Sequence, residues 1–264
     1  MTRVGERWLA LREPADAAAH ATDLVERLPE GPHVIHDLGG GTGAMGRWLA
    51  PRLPGPQHWV LHDRDADLLE VAAADLPGPA ADGAGVTVEA RQSDITRLPP
   101  DELAGATLIT ASALLDMLTE QELVRLVDSC ASVGCPVLLT LTVAGGVELT
   151  PADPLDRRVE TAFNDHQRRA TLGPDAVAAA VRELERHGME VLVRPSPWQL
   201  GHEHAELMIE WFTGWVRAAC EEDAGLAAEA QDYTRRRLEQ ASAGQLAVTV
   251  DHADVLAQKR GESA

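Results

Sequence analysis

The chain has 264 residues, 45% of them hydrophobic, and 42 acidic against 23 basic side chains leave a formal charge of −19. That length suits one large α/β domain with insertions. The negative field repels phosphate backbones and anionic lipid surfaces, which argues against nucleic acid and membrane as partners. No stretch approaches the roughly 20 apolar residues of a membrane span. The charged N-terminus, MTRVGERWLALREPADAAAH, lacks the apolar run of a signal peptide. A cytoplasmic protein with reduced thiols at Cys130, Cys135 and Cys220 is therefore expected, the first two in or near the core.

Residues 1–30 read as an N-terminal helical segment, with apolar positions at helical spacing over 15–28. A short strand, HVIHDL (33–38), runs into a glycine-rich turn. The helix over 44–53 is interrupted by Pro51. HWVLHD (58–63) is strand-like, 66–76 is a helix stopped by Pro77-Gly78, and VTVEARQ (86–92) alternates with the strand period. ATLITASALL (106–115) begins as a buried strand. Thr119 and Glu122 stand in capping-box spacing ahead of a helix over 119–131, and PVLLTLTV (136–143) is a further strand.

Beyond residue 145 the alternation loosens. Helices are expected over 152–169 and 175–187, with a strand over 189–195. A helix-rich, acidic, Trp-bearing stretch follows over 199–243, then a strand-like run over 245–258. Arg235–Arg237, with Asp232 and Glu239 nearby, reads as a solvated helix face rather than a basic patch. The final KRGESA reads as disordered. Strands alternating with helices predict a parallel sheet covered on both faces, wound with right-handed crossovers.

The turn after the first strand carries the decisive pattern. Four glycines fall within five residues at Gly39, Gly40, Gly41 and Gly43, directly behind Asp37. Gly41-x-Gly43-x-x-Gly46 formally fits a dinucleotide fingerprint, with Asp63 lying 17 residues after Gly46. Asp37-x-Gly39-x-Gly41-x-Gly43 uses more of the residues and resembles motif I of the class I S-adenosylmethionine-dependent methyltransferases. A carboxylate at that point opposes a pyrophosphate but suits a sulfonium and an ammonium. S-adenosylmethionine is therefore the expected cofactor.

The resemblance covers residues 30–145 well and 174–195 and 245–258 loosely. It implies a single domain over 1–264: α/β, Rossmann-like and doubly wound. Its seven-stranded, mostly parallel sheet would have order 3-2-1-4-5-7-6, with an antiparallel last strand. Helical insertions after strands 5 and 6, residues 146–173 and 196–244, would form the substrate pocket and its lid. The same resemblance assigns the ribose hydroxyls to Asp63, adenine to Asp94 and Ile95, and the methionine end of the cofactor to Ala111 and Ser112, with Arg64 a further cofactor-binding residue.

The loop after the fourth strand, Ala113-Leu114-Leu115-Asp116-Met117, lacks the Asp-Pro-Pro-Tyr pattern of enzymes that methylate base or amide nitrogens. A small metabolite or natural-product intermediate is the expected acceptor, with oxygen favoured over nitrogen or carbon. Asp116 is a candidate to hold or deprotonate it. His166 is the first candidate base, since histidine is the side chain generally suited to proton transfer near neutral pH. Phe163 and Arg169 would share its helix face, Arg169 holding an anionic group. His202 and His204 read as a helix start and His252 as structural, with no metal centre expected. Trp198, Trp211, Phe212 and Trp215 offer either packing or an apolar wall for an aromatic substrate. A homodimer is compatible with the acidic insertion. Two other readings use the same loop: an NAD(P)-dependent oxidoreductase, and a methyltransferase-fold cyclase, decarboxylase or hydroxylase.

Overall fold

The computed structural model describes residues 5–75 and 77–259. In chain order it contains α1 (Glu6–Ala19), α2 (Thr22–Val25), β1 (His33–Leu38), α3 (Ala44–Leu49), β2 (Gln57–Asp63), α4 (Ala66–Ala74), β3 (Val86–Gln92), β4 (Leu108–Ser112) and α5 (Glu120–Val133). There follow β5 (Val137–Thr150), α6 (Asp156–Arg168), α7 (Ala176–Arg186), β6 (Met189–Pro195), β7 (Trp198–Leu200), α8 (Ala205–Glu222), α9 (Ala227–Ser242) and β8 (Ala247–Lys259).

The strands make one sheet of order β3-β2-β1-β4-β5-β8-β6, with β7 paired to β8 off this path. The five strands from β3 to β5 pair in parallel, and β8 runs antiparallel to β5, β6 and β7. This is the expected order, with the short β7 added so that the last strand becomes the eighth. The central strands are near-continuously buried because helices cover both faces. Edge strand β3 instead alternates and presents Glu89 and Arg91, which blunts it against further pairing. The capping box forms as predicted: Glu122 N–H donates to Thr119 Oγ1 at 3.3 Å, and Thr119 N–H to Glu122 Oε2 at 2.9 Å.

Three apolar clusters hold the layers. One lies between the sheet and α5 with α7 and includes Cys130 and Cys135. A second packs α3 and α4 on β1 and β2 around Trp59 and Leu49. The third joins α1, α6, α8 and α9 around Trp198, Phe212, Trp215 and Tyr233. It forms a helical cap beside the carboxyl ends of the parallel strands.

Several expectations are corrected here. The first helix covers Glu6–Ala19 rather than 15–28, runs through Pro14, and breaks at His20. Long-range contacts hold it there: Ala21 N–H donates to Asp254 Oδ2 at 2.9 Å, and Trp198 Nε1 to Asp16 Oδ1 at 2.8 Å. Strand β5 continues to Thr150, with two register shifts, so residues 147–150 pair with β8 instead of opening the insertion. The first shift surrounds Leu141, at φ +52°, whose N–H donates to Asp254 Oδ1 at 2.8 Å. Arg237 is buried, not solvated. Its Nη2 lies 2.6 and 2.7 Å from the two oxygens of Asp156, and its Nη1 donates to Pro151 O at 2.6 Å. Lys259 belongs to β8; the rest of the C-terminal segment read as disordered, residues 260–264, lies outside the described residues, as does Leu76 of the expected 66–76 helix.

Candidate functional site

A cavity of about 1330 Å³ opens along the carboxyl ends of β1, β2 and β4 and continues under the helical cap. Its first half is built on the glycine turn. Gly39 and Gly40 both donate to His62 O, at 2.7 and 3.0 Å, folding the turn back over β2. Gly43 adopts φ +82° at the start of α3, where a side chain would also meet Ala72 Cβ at 3.3 Å. Both the left-handed backbone and the close helix approach require glycine there.

Asp37 ends β1 beneath this turn and is 1% exposed. Its Oδ1 accepts from Thr110 Oγ1 at 2.7 Å, whereas Oδ2 is buried without a partner among the described residues. Burial pushes this carboxyl up to about 7; the Thr110 hydrogen bond opposes the shift and the nearby Asp63 charge adds to it. Asp63 ends β2, accepting from Gly41 N–H at 3.0 Å and from Asp65 N–H at 2.9 Å. Asp94 follows β3 and accepts from Thr96 Oγ1 at 2.7 Å, a bond that holds its carboxyl below the usual range.

Asp37, Gly39, Gly41, Asp63, Arg64, Asp94, Ile95 and Ser112 all line this half of the cavity. The structure thus brings the acids at the ends of three consecutive strands into one place. Gly43 and Ala111 do not line it: Gly43 packs on α4, and Ala111 points into the core beneath α5. Ala113 takes their place at the β4 exit with φ +50°, a backbone conformation costly for a residue with a Cβ.

The second half is apolar and tryptophan-rich, with Trp8, Trp198, Trp211, Trp215 and Phe163 on its walls. Trp211 and Trp215 stack with centroids 5.3 Å apart and planes at 18°. Asp116 projects here from the single turn Leu115–Met117. Its Oδ1 has no partner among the described residues, and burial raises its pKa against the opposing charge of Arg12.

Arg12 and Asp16 are residues that the sequence reading missed. Arg12 Nε donates to Asp16 Oδ2 at 2.8 Å, and the guanidinium lies 5.1 Å over the Trp198 ring. The spacing of Trp8, Arg12 and Asp16, one helical turn apart each, was the available signal. His252, read as structural, also lines the cavity.

His166 and Arg169 do not. Phe163 faces the cavity, but three residues further the helix has advanced about 4.5 Å and stopped about 60° short of a full turn. His166 Nε2 therefore lies 3.7 Å from Glu221 of α8, and Arg169 pairs with Glu222. His202 and His204 form a helical turn ahead of α8 against Glu203, away from the cavity. No described helix is long and apolar enough to cross a membrane.

Residues 35–136, from β1 to the entry of β5, match the family model described as a methyltransferase domain. A search of curated proteins finds no match. Among solved structures, the chain resembles an S-adenosylmethionine-dependent methyltransferase from Methanosarcina mazei, with 13% identity and a TM-score of 0.53, over 91% of this chain and 98% of that one. It also resembles a cyclopropane synthase from Mycobacterium tuberculosis, with 11% identity and a TM-score of 0.51, over 97% and 95% of the two chains. At such identities the likeness is one of fold.

Proposed function

We propose that this chain, whose residues 35–136 match a methyltransferase-domain model, is a class I S-adenosylmethionine-dependent methyltransferase that transfers methyl to a small-molecule acceptor, with a hydroxyl oxygen the favoured target. The cofactor is S-adenosylmethionine. The observation that carries this reading is the unpartnered Oδ2 of Asp37 beneath the glycine turn. A buried carboxylate without a cation is unfavourable, so the site is suited to a positively charged ligand. A dinucleotide would instead bring phosphate charge beside both Asp37 and Asp63.

When bound, S-adenosylmethionine supplies a methyl carbon already activated by a sulfonium. The chain's own residues then have three tasks. Asp37 would hold the cationic end, Asp63 with Arg64 the ribose hydroxyls, and Asp94 with Ile95 the adenine. The tryptophan walls exclude water and hold the acceptor in line with the methyl group. Asp116, with its Oδ1 unpartnered among the described residues, would take the proton of the reacting hydroxyl, burial having raised its basicity above that of an ordinary carboxylate. The formal charge of −19 supports a small molecule over nucleic acid.

Calorimetric titration with S-adenosylmethionine, S-adenosylhomocysteine, NADH and NADPH tests the reading. Micromolar binding of both adenosyl compounds, lost in Asp63→Ala, is the expected result. Binding of a nicotinamide nucleotide with no response to the adenosyl compounds would overturn it.

A further inference from the structure

Building on the methyl-transfer reading, we propose that His252 is a specificity-determining residue: its Nε2 accepts a hydrogen bond from a second O–H or N–H on an aromatic acceptor whose first hydroxyl is methylated beside Asp116.

Among the described residues the His252 ring makes one protein hydrogen bond. His252 Nδ1 lies 2.9 Å from Val250 O. A carbonyl oxygen can only accept, so Nδ1 carries the proton, and in the neutral ring Nε2 is left with a lone pair. The ring is held in a neutral form by burial, reinforced by the facing Arg12 charge. Its backbone is pinned as well: Ser196 N–H donates to His252 O at 2.9 Å, and His252 stands opposite Val143 in the β5–β8 ladder. Nε2 makes no protein hydrogen bond among the described residues, and the ring lines the cavity with its centroid 5.1 Å from that of Trp198.

The neighbouring polar groups are already engaged. Arg12 and Asp16 satisfy one another in a two-point ion pair, and Asp16 also accepts from Trp198 Nε1. Among the described residues lining the cavity, Asp116 Oδ1, Asn164 Oδ1 and Trp215 Nε1 are buried without a partner, and His252 Nε2 makes no hydrogen bond; Asp116, which follows β4, and His252, on β8, are the acceptors the proposal uses. Trp198, Trp211 and Trp215 line the same cavity, Trp198 with its ring centroid 5.1 Å from that of His252. Flat apolar walls with a carboxylate and an imidazole acceptor in the same cavity fit an aromatic ring bearing two hydrogen-bond donors. A site built to pair with a donor rejects the analogue that lacks it, because its own buried acceptor is then left unpaired.

The test compares 2,7-dihydroxynaphthalene with 7-methoxy-2-naphthol, titrated calorimetrically into the protein saturated with S-adenosylhomocysteine. Wild type is expected to bind the diol at least about tenfold more tightly. His252→Phe should bind both equally, at the affinity of the methyl ether. Binding of neither compound by wild type, no preference in wild type, or a preference surviving in His252→Phe would each overturn the inference. If His252→Phe fails to fold, ¹⁵N spectra of wild type decide. The Nε2 resonance of His252 must be that of an unprotonated nitrogen and must move on adding the diol, and an Nε2–H form would overturn the inference. Failure of the underlying reading is separable: S-adenosylhomocysteine would not bind at all, whatever the aryl compounds do.

Discussion

Thr110 and Asp37, on neighbouring parallel strands, are joined by a 2.7 Å hydrogen bond that occupies one oxygen of a buried carboxylate and leaves the other facing the glycine turn. The acid is thereby oriented, yet burial raises it to about 7. The uncharged carboxyl is accordingly favoured in the folded protein below that pH, and a cationic ligand must displace its proton. Affinity for S-adenosylmethionine should therefore rise as pH increases from 6 toward 8, with up to one proton released per molecule bound. Calorimetry in buffers of differing ionisation enthalpy measures this directly. Asp37→Asn should weaken binding about 10- to 100-fold and abolish the pH dependence. Thr110→Val should move the dependence to higher pH, because the charged form loses its hydrogen bond. A pH-independent affinity in wild type would contradict the assignment.

His36 and His62 sit side by side in β1 and β2, with Nδ1 of one 2.9 Å from Nε2 of the other and both rings buried. Burial pushes each down to about 4. The unfolded chain titrates near 6.5 and so binds protons that the folded protein refuses. The stability contributed by the neutral pair is complete above that value and is lost as pH falls from 6.5 toward 4. Asp37 acts in the opposite sense over the same window, gaining stability as pH falls below about 7. The difference between wild type and a His36→Gln/His62→Gln variant isolates the pair. Melting temperature should fall more steeply between pH 7 and 5 in wild type than in the variant, and parallel curves would refute the prediction.

Arg237 is 1% exposed and ties α9 to the start of α6 through Asp156, which also accepts from Tyr233 Oη at 2.7 Å. Removing the guanidinium leaves the partly buried Asp156 carboxylate without its cation. Arg237→Ala should lower unfolding free energy by about 3–5 kcal/mol in urea titrations. Arg237→Met combined with Asp156→Asn should be milder, since neither charge is then stranded. Equal losses in the two variants would mean that packing rather than charge pairing dominates.

Asp116 and His166 separate cleanly as candidate bases. Asp116→Asn should reduce transfer of labelled methyl to an aryl alcohol by about 10²- to 10⁴-fold while leaving S-adenosylhomocysteine affinity unchanged. His166→Ala and Arg169→Ala should leave transfer unchanged, because their side chains engage α8 outside the cavity. A large loss in His166→Ala would reverse these roles.

The glycine-turn half of the cavity was legible in the sequence because its information is local. An acid at the end of a strand, followed by glycines or a turn, fixes where a carboxylate stands relative to its own strand, and Asp37, Asp63 and Asp94 each follow that rule. Parallel pairing of consecutive strands then places the three acids side by side. The capping box at Thr119 and the strand order follow from equally short-range patterns. The tryptophan-rich half depended on contacts between distant segments. Trp198 reaches Asp16 across 182 residues, and Ala21 reaches Asp254 across 233. Those bonds lay α1 across the cavity and bring Arg12 to it, while the bulges in β5 carry its end to β8 near His252. Helical periodicity alone put His166 and Arg169 on the same face as Phe163; only the docking of α6 against α8 decided that this face was divided, with Phe163 in the cavity and the two basic side chains paired to the glutamates of the neighbouring helix.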